Sequence, residues 1–280
     1  MNACDSNQSL PLSQQETEAL NRHGVFLKKR ILHDLQEISG LGIVSEELGV
    51  SFGETRVIDI VCVDQRDKPH LLFAVECKRA YAVERRWIFF NDVHQRYRVL
   101  RQQSGLLGHS SIFAVRQPLH SHVCSEGYEY RKSEVRADQN PIFQAATQIS
   151  AGYLGLIARR QNDFNRPVTP SDAVERYVPL MVTNAELVVV DQDLKATSME
   201  TGNMPAPPQA KSVDFLLLKH PFPTPGNMSR DLRDYPNPLP GPADWSQMHK
   251  ESIYVVRASA LKEFMGQDHR DYLRSAKSED

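Results

Sequence analysis

Two short apolar runs, each carrying charge where a buried strand should have none, constrain this chain more than any other feature of its 280 residues. Residues 56–64 read RVIDIVCVD and residues 70–78 read HLLFAVECK. Both are rich in β-branched or large apolar residues and are bounded by turn-forming polar segments, the pattern of strands. Strands that are apolar on both faces sit inside a sheet covered on both sides. In the first run, alternation puts Ile58, Ile60 and Cys62 on one face and Val57, Asp59, Val61 and Val63 on the other. Asp59 is then a carboxylate in the middle of a buried strand, which is costly unless something pairs with it. The second run ends Glu76-Cys77-Lys78, with Glu76 and Lys78 sharing a face and Cys77 on the opposite one.

A hairpin turning near Asp67-Lys68 sets Asp59 opposite Glu76 and Val57 opposite Lys78. Facing residues in an antiparallel pair have Cβ atoms ~5 Å apart. Two carboxylates at that distance repel unless a cation lies between them. Carboxylate oxygen and water suit a hard divalent ion such as Mg²⁺, with Mn²⁺ as a substitute. Lys78 would reach the same spot, where an ammonium stabilises phosphate charge or positions a water. A bound metal lowers the pKa of that water. The combination points to phosphodiester hydrolysis.

Asp59, sixteen residues, then Glu76-Cys77-Lys78, on two adjacent strands after an N-terminal helix, resembles the PD-(D/E)XK nuclease superfamily. The flanking RVIDIV and FAVECKRA fit that likeness, which covers roughly residues 15–190; Ile58 stands where the family's named proline would be. The resemblance implies an α/β fold, a mixed central β-sheet flanked by helices in the restriction-endonuclease-like manner. It implies a Mg²⁺-dependent endonuclease or deoxyribonuclease in phage defence, restriction or repair, acting on nucleic acid, DNA ahead of RNA, often as a homodimer. It adds the Cys77 carbonyl to the metal shell of Asp59 and Glu76. It also calls for a further glutamate from the first helix or first strand. Glu46 is favoured over Glu47, Glu16, Glu18 and Glu37; the helix interior offers Lys28 and Lys29 instead. A glutamine on a later helix is a further family feature, and Gln144 or Gln148, four residues apart, supply it.

Other readings are weighed beside these. Seven basic residues between Lys78 and Arg101, interleaved with Trp87, Phe89, Phe90 and Tyr97, suit phosphate binding and base stacking, or simply a solvated amphipathic helix with Trp87 and Phe90 in the core. His120, His122 and Cys124 match no strong zinc spacing. A catalytically inactive nucleic-acid-binding or scaffold protein on the same fold is the main alternative. A glycosidase using Asp59 and Glu76 as its acid/base pair leaves Lys78 unexplained.

The formal net charge of −2 excludes a generally basic coat protein, so phosphate attraction must be local. Four scattered cysteines and no apolar stretch of spanning length lead to the expectation of a reduced, cytoplasmic protein away from the membrane. By segment, residues 1–12 read as a disordered terminus and 13–195 as the nuclease core. Residues 196–270 read as a proline-rich extension whose last strand and helix pack on the core, and 271–280 as a charged tail. Within the core, Ser13 to Ser39 reads as one helix, 79–103 as mostly helical, Pro141 to Arg160 as a helix capped by Asn140, and Tyr177 to Val190 as a strand hairpin.

Overall fold

The structure is a computed structural model. It describes residues 12–22, 24–52, 54–67, 70–80, 85–91, 97–104, 110–116, 122–130, 140–163, 174–191, 197–203, 208–220 and 252–275. The expectations for residues 1–11, the proline-rich run within 221–251 and the last five residues lie outside that set, as does His120.

The chain is mixed α/β. Among the described residues, twelve strands form one mixed sheet. They are β1 (Leu41–Phe52), β2 (Glu54–Asp64), β3 (His70–Lys78), β4 (Arg86–Asn91), β5 (Tyr97–Ser104), β6 (Ser110–Arg116), β7 (His122–Glu129), β8 (Val174–Thr183), β9 (Glu186–Asp191), β10 (Gln209–Val213), β11 (Phe215–Lys219) and β12 (Ser252–Arg257). The sheet runs β1-β2-β3-β8-β12-β11-β7-β4-β9-β10, with β5 paired to β8 and β6. The helices are α1 (Gln14–Arg22), α2 (Val25–Gln36), α3 (Pro141–Asp163), α4 (Leu261–Phe264) and α5 (Gln267–Ser275). No helix among the described residues is long and apolar enough to cross a membrane.

Two cores lie on opposite faces of the sheet. On one, α3 contributes Ile142, Ala145, Ala146, Ile149 and Tyr153 against Val61, Val63, Leu72 and Ala74. On the other, Ile31, Leu32 and Leu35 of α2, with Phe264 and Leu273, meet Ile60, Cys62, Leu71, Phe73 and Val75. Burying each such aliphatic side chain contributes roughly 1.5–3 kcal/mol. This two-sided cover is why β2 and β3 read as unbroken apolar runs.

Local chemistry sets the helix ends. The Asn140 side chain accepts from Ile142 N–H at 3.0 Å and donates to the Gly127 carbonyl at 2.7 Å, so the expected cap also ties α3 to β7. The single N-terminal helix expected from the apolar stripe is instead two, broken at Gly24, whose φ of 71° suits glycine.

Three other expectations are corrected. Residues 86–91 and 97–104 are strands; in the first, Trp87 and Phe89 alternate inward with a period of two. β8 and β9 follow each other directly yet do not pair. β8 lies parallel between β3 and β12, and β9 lies between β4 and β10. The charged tail continues as α5 to Ser275, held by a buried ion pair between Arg270 Nη1 and Asp64 Oδ2 at 2.6 Å.

Candidate active site

β2 and β3 pair antiparallel from Asp64–Leu71 to Ile60–Val75. One step further along that register, Asp59 and Glu76 stand side by side. The ladder ends there, and the Cys77 N–H donates to Asp59 Oδ2 at 2.8 Å. The strict alternation expected along β2 fails at this point. Ile58 packs with Val61 and Val63, not with Ile60 and Cys62. Ile58 is turned against Gly152 of α3, where an added Cβ would come within 2.8 Å of Ile58 Cγ1. Val57 is left on the surface, 54% exposed. The slip aims the Asp59 carboxylate into the gap between the two strands.

Glu76 is 8% exposed. Among the described residues no hydrogen bond or ion pair engages its carboxylate. Burial, reinforced by the charge of Asp59, pushes the Glu76 carboxyl up to about 8, against the pull of Lys78 and Lys28. Burial raises Asp59 as well; the Cys77 N–H and then Lys28 oppose it, Glu47 adds to the rise, and Lys78 opposes it weakly. Each acid thus meets a desolvated site and a like-charged neighbour. Lys78, two residues beyond Glu76 and partly buried, makes no ion pair among the described residues.

The far end of β3 is fixed by the corner between β8 and β9, where Asn184 Oδ1 accepts from the Ala80 N–H at 2.8 Å. Thr183 Oγ1 accepts from the Ala185 N–H and shapes that corner. Parallel pairing with β8 along all of β3 sets Glu76 beside Met181 and Lys78 beside Thr183. Glu76 and Lys78 therefore stand on a strand edge that β8 holds in place over its whole length.

The neighbouring strand β1 decides which glutamate approaches. Ile43 pairs with Cys62, but Ser45 pairs with Val61, so Val44 is bulged out. Beyond the bulge Glu46 pairs with Ile60 and Leu48 with Ile58, which leaves Glu47 across from Asp59. Glu46 Oε2 is occupied by Lys29 Nζ at 2.8 Å. Glu47, at a φ of 52°, is ion-paired with Lys28.

Gln144 and Gln148 lie on the exposed side of α3. The start of that helix stands over β7 and β11, where Thr147 meets His220 at 3.3 Å, whereas its contact with β2 comes later, at Gly152. Trp87 is fully buried, its Nε1–H donating to Glu129 at 3.3 Å, so it is core and not a stacking platform. Arg86 is ion-paired with Glu186 at 2.8 Å. Cys124 is fully buried in the core beneath α3. Cys77 is half-buried, and burial raises its thiol well above the ordinary range, which removes it as a nucleophile. Among the described residues, the group of three potential metal ligands is His33 and Asp34 of α2 with Glu37 just past its end, and Lys262 bridges the two carboxylates.

Lys28 is the member of the site passed over in the sequence. Its one signal was a position in the helix interior where the resemblance called for a glutamate. No family model, no curated protein and no solved structure matches this chain.

Proposed function

We propose that the chain is a metal-dependent nuclease that hydrolyses phosphodiester bonds, DNA ahead of RNA, at Asp59, Glu76 and Lys78. The observation that carries this reading is Glu76: a buried carboxyl with no hydrogen-bond or ion-pair partner among the described residues, set beside a second carboxylate, with an ammonium two residues along the same strand. The donor chemistry fits a hard cation. Both side-chain donors are carboxylate oxygens and the adjacent thiol is protonated, so Mg²⁺ or Mn²⁺ suits the site better than a thiophilic ion. Asp59 and Glu76 would hold it, with the Cys77 carbonyl as a further ligand. When bound, the ion supplies charge neutralisation at the phosphate and acidifies a water.

The chain's own residues do the rest. The Cys77 N–H keeps one Asp59 oxygen fixed and leaves the other to face the gap. Glu76, whose proton is held by burial and by the charge of Asp59, would have to release it to hold the ion. Lys78 presents three N–H donors to a phosphate oxygen or to the attacking water. Purified protein with Mn²⁺ is expected to degrade DNA or RNA, and Asp59→Ala and Lys78→Ala are each expected to abolish this while the chain stays folded. Cleavage that survives both changes overturns the assignment.

The Lys28–Glu47 pair favours one second reading. An internal ammonium beside Asp59 neutralises part of the site, as in a nuclease-like scaffold that binds nucleic acid without cutting it. That protein would bind DNA equally with and without Mn²⁺.

A further inference from the structure

Lys28 has more in common with the acids than its place on a different element requires. Gly24 breaks the N-terminal helix, and Lys28 N–H donates to the Gly24 carbonyl one turn later, which seats Lys28 on the sheet side of α2. Ile31, Leu32 and Leu35 then pin that helix over β2 and β3. The Lys28 side chain is only 18% exposed, against 58% for Lys29. Its ammonium bonds Glu47, the residue that the β1 bulge leaves across from Asp59. Lys29, next along the helix, serves only the outer pair with Glu46.

We infer that Lys28 is a built-in competitor of the metal: a tethered cation that shares the Glu47–Asp59 side of the site and must give way when a divalent ion binds. The inference rests on the metal-site reading above and goes beyond it, since it concerns what sets the affinity. A fixed positive charge within a few ångströms of a divalent ion repels it, and removing that charge shifts affinity by about tenfold for each 1.4 kcal/mol of repulsion relieved. Lys28 is a positioning residue in this scheme, acting through Glu47 and Asp59 and not on substrate.

The test is Mn²⁺ binding to the full chain, followed by calorimetry or by the loss of the free-ion paramagnetic resonance signal, with no substrate present. Lys28→Met is expected to bind Mn²⁺ about tenfold tighter than wild type. Lys28→Arg, which keeps the charge, is expected to bind like wild type, and Lys29→Met serves as the control that changes nothing. Circular dichroism establishes that each variant is folded. Should Lys28→Met fail to fold, Lys28→Gln replaces it with the same expected tightening. Wild type that binds Mn²⁺ together with folded Lys28 variants that bind no tighter overturns this inference and leaves the metal site standing. Wild type, Lys28→Met and Lys28→Gln all failing to bind Mn²⁺ overturns both.

Discussion

Asp59 accepts a hydrogen bond from the backbone of Cys77, across the strand gap where β2 and β3 would otherwise continue their ladder. A side chain thus takes over a main-chain bond at the point where charge must be held. Asp59→Asn keeps an acceptor for that N–H and removes the charge. It is expected to lose Mn²⁺-stimulated cleavage by at least 10²-fold, while changing thermal stability by no more than about 1 kcal/mol. Nuclease assays and thermal melts on one preparation check both halves.

Glu76 ties stability to pH. Its folded carboxyl is raised from 4.5 to about 8. The folded state therefore holds a proton that the unfolded state has already released, and metal-free protein loses stability as pH rises from about 4.5 towards 8. Glu76→Gln cannot ionise, so it is expected to be more stable than wild type above pH 8 by an amount on the order of 4 kcal/mol, and equal to it near pH 4. Denaturant melts in EDTA at several pH values read this directly. A wild-type curve parallel to that of Glu76→Gln would contradict the burial of an ionisable group there.

The register that brings Asp59 towards Glu76 was legible in the sequence, because two charges broke two apolar runs joined by a short turn, although the ladder itself stops one pair earlier, at Ile60 and Val75. The side-chain faces near Asp59 were not, because alternation alone does not reveal that Ile58 turns to Gly152. β4 carried its period in RWIFFN, yet the arginines in and around it read as one basic helical surface. The direct succession of β8 and β9 looked like a hairpin. Their true partners, β3 and β12 for one and β4 and β10 for the other, lie far away in the chain, where local pattern has no reach.

Gly152 supports the slip at Ile58. A methyl there gains about 1 kcal/mol of helix propensity but meets Ile58 Cγ1 at 2.8 Å, and overpacking costs about 1–3 kcal/mol. Gly152→Ala is expected to be neutral to mildly destabilising, and to weaken Mn²⁺ binding severalfold because Ile58 adjoins Asp59. Unchanged Mn²⁺ affinity would disconnect α3 from the site.

At the other end of β2, Arg270 and Asp64 form an ion pair with exposures of 3% and 0%. Arg270→Met leaves the buried carboxylate with only Arg66 among these two arginines, at 3.1 Å. The expected loss is about 3 kcal/mol or more. Chemical denaturation of the variant measures it; a loss below about 1 kcal/mol would mean that α5 is not anchored through this contact.

The bulge at Val44 works like an extra letter in a reading frame. Downstream of it every β1 residue is displaced by one against β2, and the identity of the acid opposite Asp59 changes with it. Were Val44 paired with Val61 instead of bulged, Glu46, with Lys29 in tow, would stand where Glu47 and Lys28 now stand, whereas excising Val44 would leave Glu47 in place. One unpaired apolar residue thus selects the acid that faces Asp59 without itself belonging to the site.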